Sequence, residues 1–169
     1  MKQGFCIYLT GRAGSGKAGL AGLLQTALED AGLEVAVLGE ALVDPSDPEA
    51  GWSRLARQAR DLVDGGRAVV VAARIPGRRA REAARSEIGR FVEVYLDLPE
   101  ATAGPGLDFE PPKRPEAVLR PDVDGPADGL ARVLRTLEIL GYLSSGGEGG
   151  YSPEDEAVLR GRLSDLGYL

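Results

Sequence analysis

The chain has 169 residues, 43% of them apolar, with a formal net charge of −6, which fits one domain able to bury a core without disulfide or metal staples. No block of basic residues offers a footprint for nucleic acid or for an anionic membrane, and neither partner is expected. The absence of histidine excludes Ser-His-Asp triads, imidazole bases and His-based metal sites, while a lone Cys6 in an apolar run excludes an internal disulfide framework.

The N-terminal run MKQGFCIYLTG is too short for a signal peptide or a membrane span, so a soluble, cytoplasmic protein is expected. Phe5 to Thr10 reads as a buried strand, and the glycine-rich GRAGSGKA leads into a helix from Lys17 to Ala31, stopped by Gly32. LEVAVL, residues 33–38, is a second strand. Trp52, Leu55, Ala56, Ala59, Leu62 and Val63 recur at helical spacing, which predicts a helix from Trp52 to Asp64 before Gly65-Gly66. RAVVVAA is a third strand, and Arg78 to Ile88 alternates arginine, alanine and glutamate at helical spacing. RFVEVYLDL is a fourth strand, followed by a Pro/Gly-rich connection from Pro99 to Pro115. Ala117 to Leu119 reads as an edge strand and Ala127 to Leu140 as the closing helix. Strands alternating with helices argue for an α/β fold, a three-layer sandwich around a central parallel sheet.

SSGGEGG, residues 144–150, has the composition of a flexible linker, which divides the chain into a domain at 1–143 and a tail at 151–169. Ser152 as N-cap, Pro153 at the first helical position and the acids after it predict one short amphipathic helix in the tail. Such a helix is marginal alone in water. It either packs on its own domain or a second copy, or docks in a partner's groove through Leu163, Leu166, Tyr168 and Leu169.

Gly11, four residues, Gly16 and Lys17 follow a buried strand and open a helix, the setting of a phosphate-binding P-loop. Glycines let backbone amides converge on phosphate oxygens, the helix amino end adds positive potential, and the lysine supplies a cation. Gly11, Arg12, Ala13, Gly14, Ser15, Gly16, Lys17 and Ala18 are therefore the candidate nucleotide- or phosphate-binding residues, with ATP or ADP as ligand. Lysine occurs elsewhere only at Lys2 and Lys113, which adds weight to its presence here. Ala18 stands where a Ser or Thr hydroxyl ordinarily ligates Mg²⁺, and Ser15 is not placed to replace it, so the loop is not expected to hold the metal in the usual way.

Over residues 3–143 the chain resembles the adenylylsulfate (APS) kinase family. GFCIYLTGRAGSGKAGLAGLL is similar to that family's first strand and P-loop, and GRFVEVYLDLPEA to its fourth strand. GLDFEPPKRPEAVL resembles the segment after its lid, and ARVLRTLEILGYL its last helix. The resemblance implies a P-loop kinase fold, transfer of the ATP γ-phosphate to the 3′-hydroxyl of adenylylsulfate, and a homodimer. Against the family's pattern, LGEALV replaces an Asp-Gly-Asp-Asn motif after the second strand, RIPGRR replaces an Ile-Ser-Pro, and PEATAGPG replaces a lid of about twenty residues.

Three readings remain open at this point. A degenerate member holds nucleotide weakly and acts as a binding or regulatory subunit; an active kinase uses Lys17, Glu40 and Asp97 as catalytic groups; a ligand-free scaffold works through its tail. Arg54, Arg74, Arg78 and Arg79 are the candidates for a substrate anion, and no protein residue is assigned to a metal.

Overall fold

The computed structural model describes residues 3–99 and 109–144. Five strands, β1 (Phe5–Gly11), β2 (Val35–Gly39), β3 (Ala68–Ala72), β4 (Phe91–Leu96) and β5 (Ala117–Leu119), form one sheet in the order β2-β3-β1-β4-β5. Every neighbouring pair is parallel. The helices are α1 (Lys17–Asp30), α2 (Pro48–Asp64), α3 (Arg78–Ile88) and α4 (Pro126–Ile139).

Central strands covered on both faces need apolar side chains in consecutive positions rather than in alternation. FCIYLTG of β1 meets that demand, with all seven residues buried. Phe5, Ile7 and Leu9 enter a core built with α1 and α4, whereas Cys6 and Tyr8 enter a second core with α2 and α3. The three layers expected from the alternation of elements are thus present, with the P-loop kinase arrangement of a parallel sheet between helices. Because the chain leaves β1 toward β2 and β3 on one side and returns to β4 on the other, the carboxyl end of β1 lies at the reversal of strand order, the position where open α/β sheets generally bind ligands.

Differences from the sequence expectation lie at element ends. The second strand starts at Val35 rather than Leu33, because Leu33 closes α1: Gly32 turns left-handed (φ 87) and the Leu33 amide donates to the Leu28 carbonyl at 3.1 Å. The second helix starts four residues earlier than its apolar period, since Asp47 caps it by accepting from the Ala50 amide at 3.3 Å and Pro48 takes the first helical position. Pro126 opens α4 in the same way after Gly125. The linker beyond Ser144, the tail helix with Leu163, Leu166, Tyr168 and Leu169, and most of the shortened connection after Pro99 lie outside the described residues. Among the described residues, no helix is long and apolar enough to cross a membrane.

Candidate functional site

β1 ends at Gly11 and α1 begins at Lys17, so the five residues between them must reverse the chain at the carboxyl edge of the sheet. Gly14 and Gly16 do so at φ 78 and φ 94, a region that costs an L-residue about 1–2 kcal/mol. Gly11 is required for a different reason. A Cβ there would stand 2.6 Å from Ser15 Oγ and 3.0 Å from the Leu96 carbonyl oxygen, closer than packing allows. The crest of the loop at Ala13, Gly14 and Gly16 is exposed, as is Ala18 in the first turn of the helix.

Lys17 curls back over this loop. Its ammonium donates to the Gly11 carbonyl at 2.8 Å and to the Arg12 carbonyl at 3.0 Å. Burial holds its pKa below the ordinary lysine range, with Glu40 opposing that shift and Arg74 adding to it. Both partners sit at neighbouring strand ends. Glu40 opens a single 3₁₀ turn (Glu40–Leu42) directly after β2, and its carboxylate accepts the backbone amide of Arg74 beyond β3. The fold therefore brings together Lys17, Glu40 and Arg74, which are far apart in sequence.

Other sequence candidates fall elsewhere. Asp97 donates its amide to the Leu119 carbonyl at 2.8 Å and accepts the Tyr95 hydroxyl at 3.2 Å, so it is tied into the β4–β5 side of the sheet. Arg54 is exposed on α2 beside Asp44, whose carboxyl is held low first by hydrogen bonds from Ser46 and last by Arg54. Arg79 is exposed in the first turn of α3. Arg78 donates Nε to the Pro111 carbonyl at 3.0 Å and its amide to Glu110 Oε1 at 3.1 Å.

A buried charge network escaped the sequence reading. Glu93, in the middle of β4, accepts Thr10 Oγ1 at 2.8 Å and lies 3.4 Å from Arg81 Nε and 3.6 Å from an Arg85 guanidinium nitrogen. Arg85 also pairs with Glu116, whose carboxylate accepts the Glu93 amide at 2.7 Å. The Arg81 guanidinium additionally donates to the carbonyls of Ile75, Pro76 and Glu110. Its Nε is aligned with no acceptor, so the contact with Glu93 is an ion pair rather than a linear hydrogen bond. Burial lowers the Arg81 pKa and Glu93 partly restores it. Two signals were present in the sequence: an acid inside the otherwise apolar FVEVYL, and Arg81 spaced with Ala84 and Ile88 on the buried face of α3.

The loop suits nucleotide phosphates: positive-φ glycines at an exposed crest, a helix amino end and an ammonium beside it. Ser15 Oγ is buried there with no hydrogen-bond partner. Ala18 presents a methyl group at the first helical turn, where the hydroxyl of a Ser or Thr ordinarily ligates the metal that accompanies nucleotide phosphates.

Comparison with known proteins agrees with this geometry. The family profile described as Adenylylsulphate kinase matches residues 3–105. The adenylyl-sulfate kinase of Rippkaea orientalis is 30% identical over 85% of this chain and 96% of its own length. A probable adenylyl-sulfate kinase of Pyrococcus abyssi is 32% identical over 83% of this chain and 99% of its own. Among solved structures, the Mycobacterium tuberculosis APS kinase in complex with AMPPNP and APS superposes with a TM-score of 0.74 at 25% identity, covering 82% of this chain and 99% of that one. With a P-loop closed by Lys17 at the carboxyl end of a 2-3-1-4-5 parallel sheet, and relatives matched over nearly their full length, the chain belongs to the adenylylsulfate kinase family.

Proposed function

We propose that this member of the family binds the phosphates of ATP or ADP on its P-loop with attenuated phosphoryl transfer, and serves a binding or regulatory role. The observation that carries the reading is Ala18. Phosphoryl transfer depends on positioning and on neutralising charge as it develops, and a metal ion bridging the β- and γ-phosphates ordinarily supplies much of that neutralisation. The methyl of Ala18 gives that ion no oxygen at its usual anchor. Backbone amides of residues 12–18 and the Lys17 ammonium would hold the phosphates without it.

Calorimetric titration with ATP, ADP and adenylylsulfate, each with and without Mg²⁺, tests this. Expected is weak nucleotide binding that Mg²⁺ does not strengthen and that Lys17→Ala abolishes. Failure of all three ligands to bind would sink it and leave the loop as architecture.

An active kinase is the second reading, favoured by Glu40, which lies close enough to Lys17 to act on its charge, and by relatives named adenylyl-sulfate kinases. On that reading Glu40 is the acid at the reacting phosphate and Arg74 meets the substrate anion. Ala18→Ser separates the two. A gain of Mg²⁺-dependent ATP binding together with turnover would favour a site that is otherwise intact, and no change would count against latent catalysis. The tail at 151–169 remains proposed as a docking element and the chain as a homodimer. Deletion of residues 144–169, followed by sedimentation and partner pull-down, reads both.

A further inference from the structure

The loop residue after Gly11 is an arginine, and the sheet decides where its side chain rests. β4 pairs with β1 through Tyr95 opposite Thr10 and Leu96 opposite Gly11, so the chain leaves β1 beside the end of β4. There half-buried Arg12 lays its guanidinium over the Phe109 ring, 5.3 Å from the centroid. That ring stacks on Tyr95 with centroids 6.0 Å apart. Arg12 is also close enough to the Tyr95 phenol to oppose the burial that chiefly raises its pKa. Glu40 and Arg74, which act on Lys17, follow β2 and β3 on the opposite side of β1.

Two arginines share the Phe109 ring and are held differently. Arg81, 5.1 Å from the centroid, is buried, pairs with Glu93 and donates to the carbonyls of Ile75, Pro76 and Glu110. It is locked in place and fixes the ring. The Arg12 carbonyl accepts the Lys17 ammonium at 3.0 Å, which fixes its backbone, but among the described residues its guanidinium has only the ring. A cation–π contact at a partly exposed site shifts a population by about two- to fivefold. A charge-assisted hydrogen bond to an ionised oxygen is worth about tenfold or more, so a phosphate within reach takes Arg12 off the ring.

The loop supplies a reason for a phosphate to be there. P-loop amides cradle the α- and β-phosphates and the lysine reaches the β- and γ-phosphates, which leaves the γ-phosphate at the mouth of the loop. A bridging ion anchored on a helix hydroxyl ordinarily meets part of its charge, and Ala18 offers that ion a methyl group. We propose that Arg12 is the terminal-phosphate sensor of this loop: its guanidinium rests on Phe109 in the free protein and moves to the γ-phosphate of bound ATP, so that the chain distinguishes a nucleoside triphosphate from a diphosphate. The inference rests on the reading that the P-loop holds nucleotide phosphates. Resting on a fixed ring beside the loop, the guanidinium has little freedom left to lose when it makes the new contact.

The test is calorimetric titration of the full chain with ATP and with ADP, both without Mg²⁺, for wild type, Arg12→Ala and Arg12→Lys. Expected is a preference of wild type for ATP, an affinity for ATP about tenfold lower in Arg12→Ala, and an affinity for ADP within twofold of wild type. Arg12→Lys should keep part of the preference, as it retains the charge without the planar fork. In wild-type protein the Arg12 Nε–H resonance, shifted upfield by the Phe109 ring, should lose that shift on adding ATP and keep it on adding ADP. Equal losses of ATP and ADP affinity in Arg12→Ala, or no loss of either, would overturn the sensor while leaving the nucleotide reading intact. Failure of wild type to bind either nucleotide would overturn both. Thermal melts check that the variants are folded; should Arg12→Ala unfold, the Nε–H resonance of wild type decides, since a guanidinium that stays on the ring at saturating ATP is no sensor.

Discussion

Replacing Glu93 with glutamine removes one charge from the buried network at almost constant volume. The Glu93 side chain is 8% exposed and that of Arg81 3%, so neither solvent nor salt can substitute for the lost partner. Breaking a buried pair by neutralising one member costs about 3–5 kcal/mol, because the other charge stays desolvated. Two features place the expected loss near the lower figure. Arg81 keeps the carbonyls of Ile75, Pro76 and Glu110, and Arg85 keeps Glu116. A loss of about 3 kcal/mol is a large part of a domain stability of about 5–15 kcal/mol. It corresponds to a fall in Tm of about 6–12 °C at this chain length.

Urea unfolding should show a lower midpoint at an unchanged slope, which marks a change of stability rather than of denatured-state compactness. Arg81→Met alone should be at least as damaging, since it also strands three carbonyls. The double variant should lose less than the sum of the singles, because it no longer buries an uncompensated charge. If Glu93→Gln stays within about 0.5 kcal/mol of wild type, the range of an ordinary surface change, the network is not a structural pair and the reasoning is wrong.

Gly16→Ala should cost about 1–2 kcal/mol in urea unfolding, as φ 94 is forced on a residue with a Cβ, and should weaken ATP binding by deforming the loop crest. Lys17 has a lowered pKa in the folded chain, so above that value the unfolded state binds more protons than the folded one. Stability should therefore rise with pH between the lowered value and the ordinary lysine range. Lys17→Met should flatten that rise in urea midpoints taken across the alkaline range. Cys6 is buried, which pushes its thiol up, and it should resist a thiol-specific chromogenic reagent until the chain is unfolded. Rapid reaction in the native state would contradict that packing.

Much of the architecture was legible because it follows from local rules. A strand buried on both faces must read as a near-continuous apolar run, and FCIYL and AVVVA do, while FVEVYL is interrupted by Glu93 alone. The phosphate loop was equally legible, since the demand for glycine at Gly14 and Gly16 is set by backbone conformation at those residues themselves. Strand ends were less so. The first turn of α2 rests on a cap by Asp47, which carries no apolar signal, and the last turn of α1 closes on Leu33, an apolar residue that the periodicity assigns to the next strand.

By itself, then, the sequence determined the alternation of elements, the phosphate loop with its lysine, and the methyl group of Ala18 at the start of the helix, because each depends on one residue or on a short period. Tertiary structure alone decided which charges meet. Lys17, Glu40 and Arg74 converge because parallel strands end at the same edge of the sheet, and Glu93 finds Thr10 and Arg81 because β4 pairs with β1 beneath α3. Such pairings span up to 83 residues of chain, and no local preference encodes them. They are set by strand order and register, which fix the distances over which a charge is either paired or left buried alone.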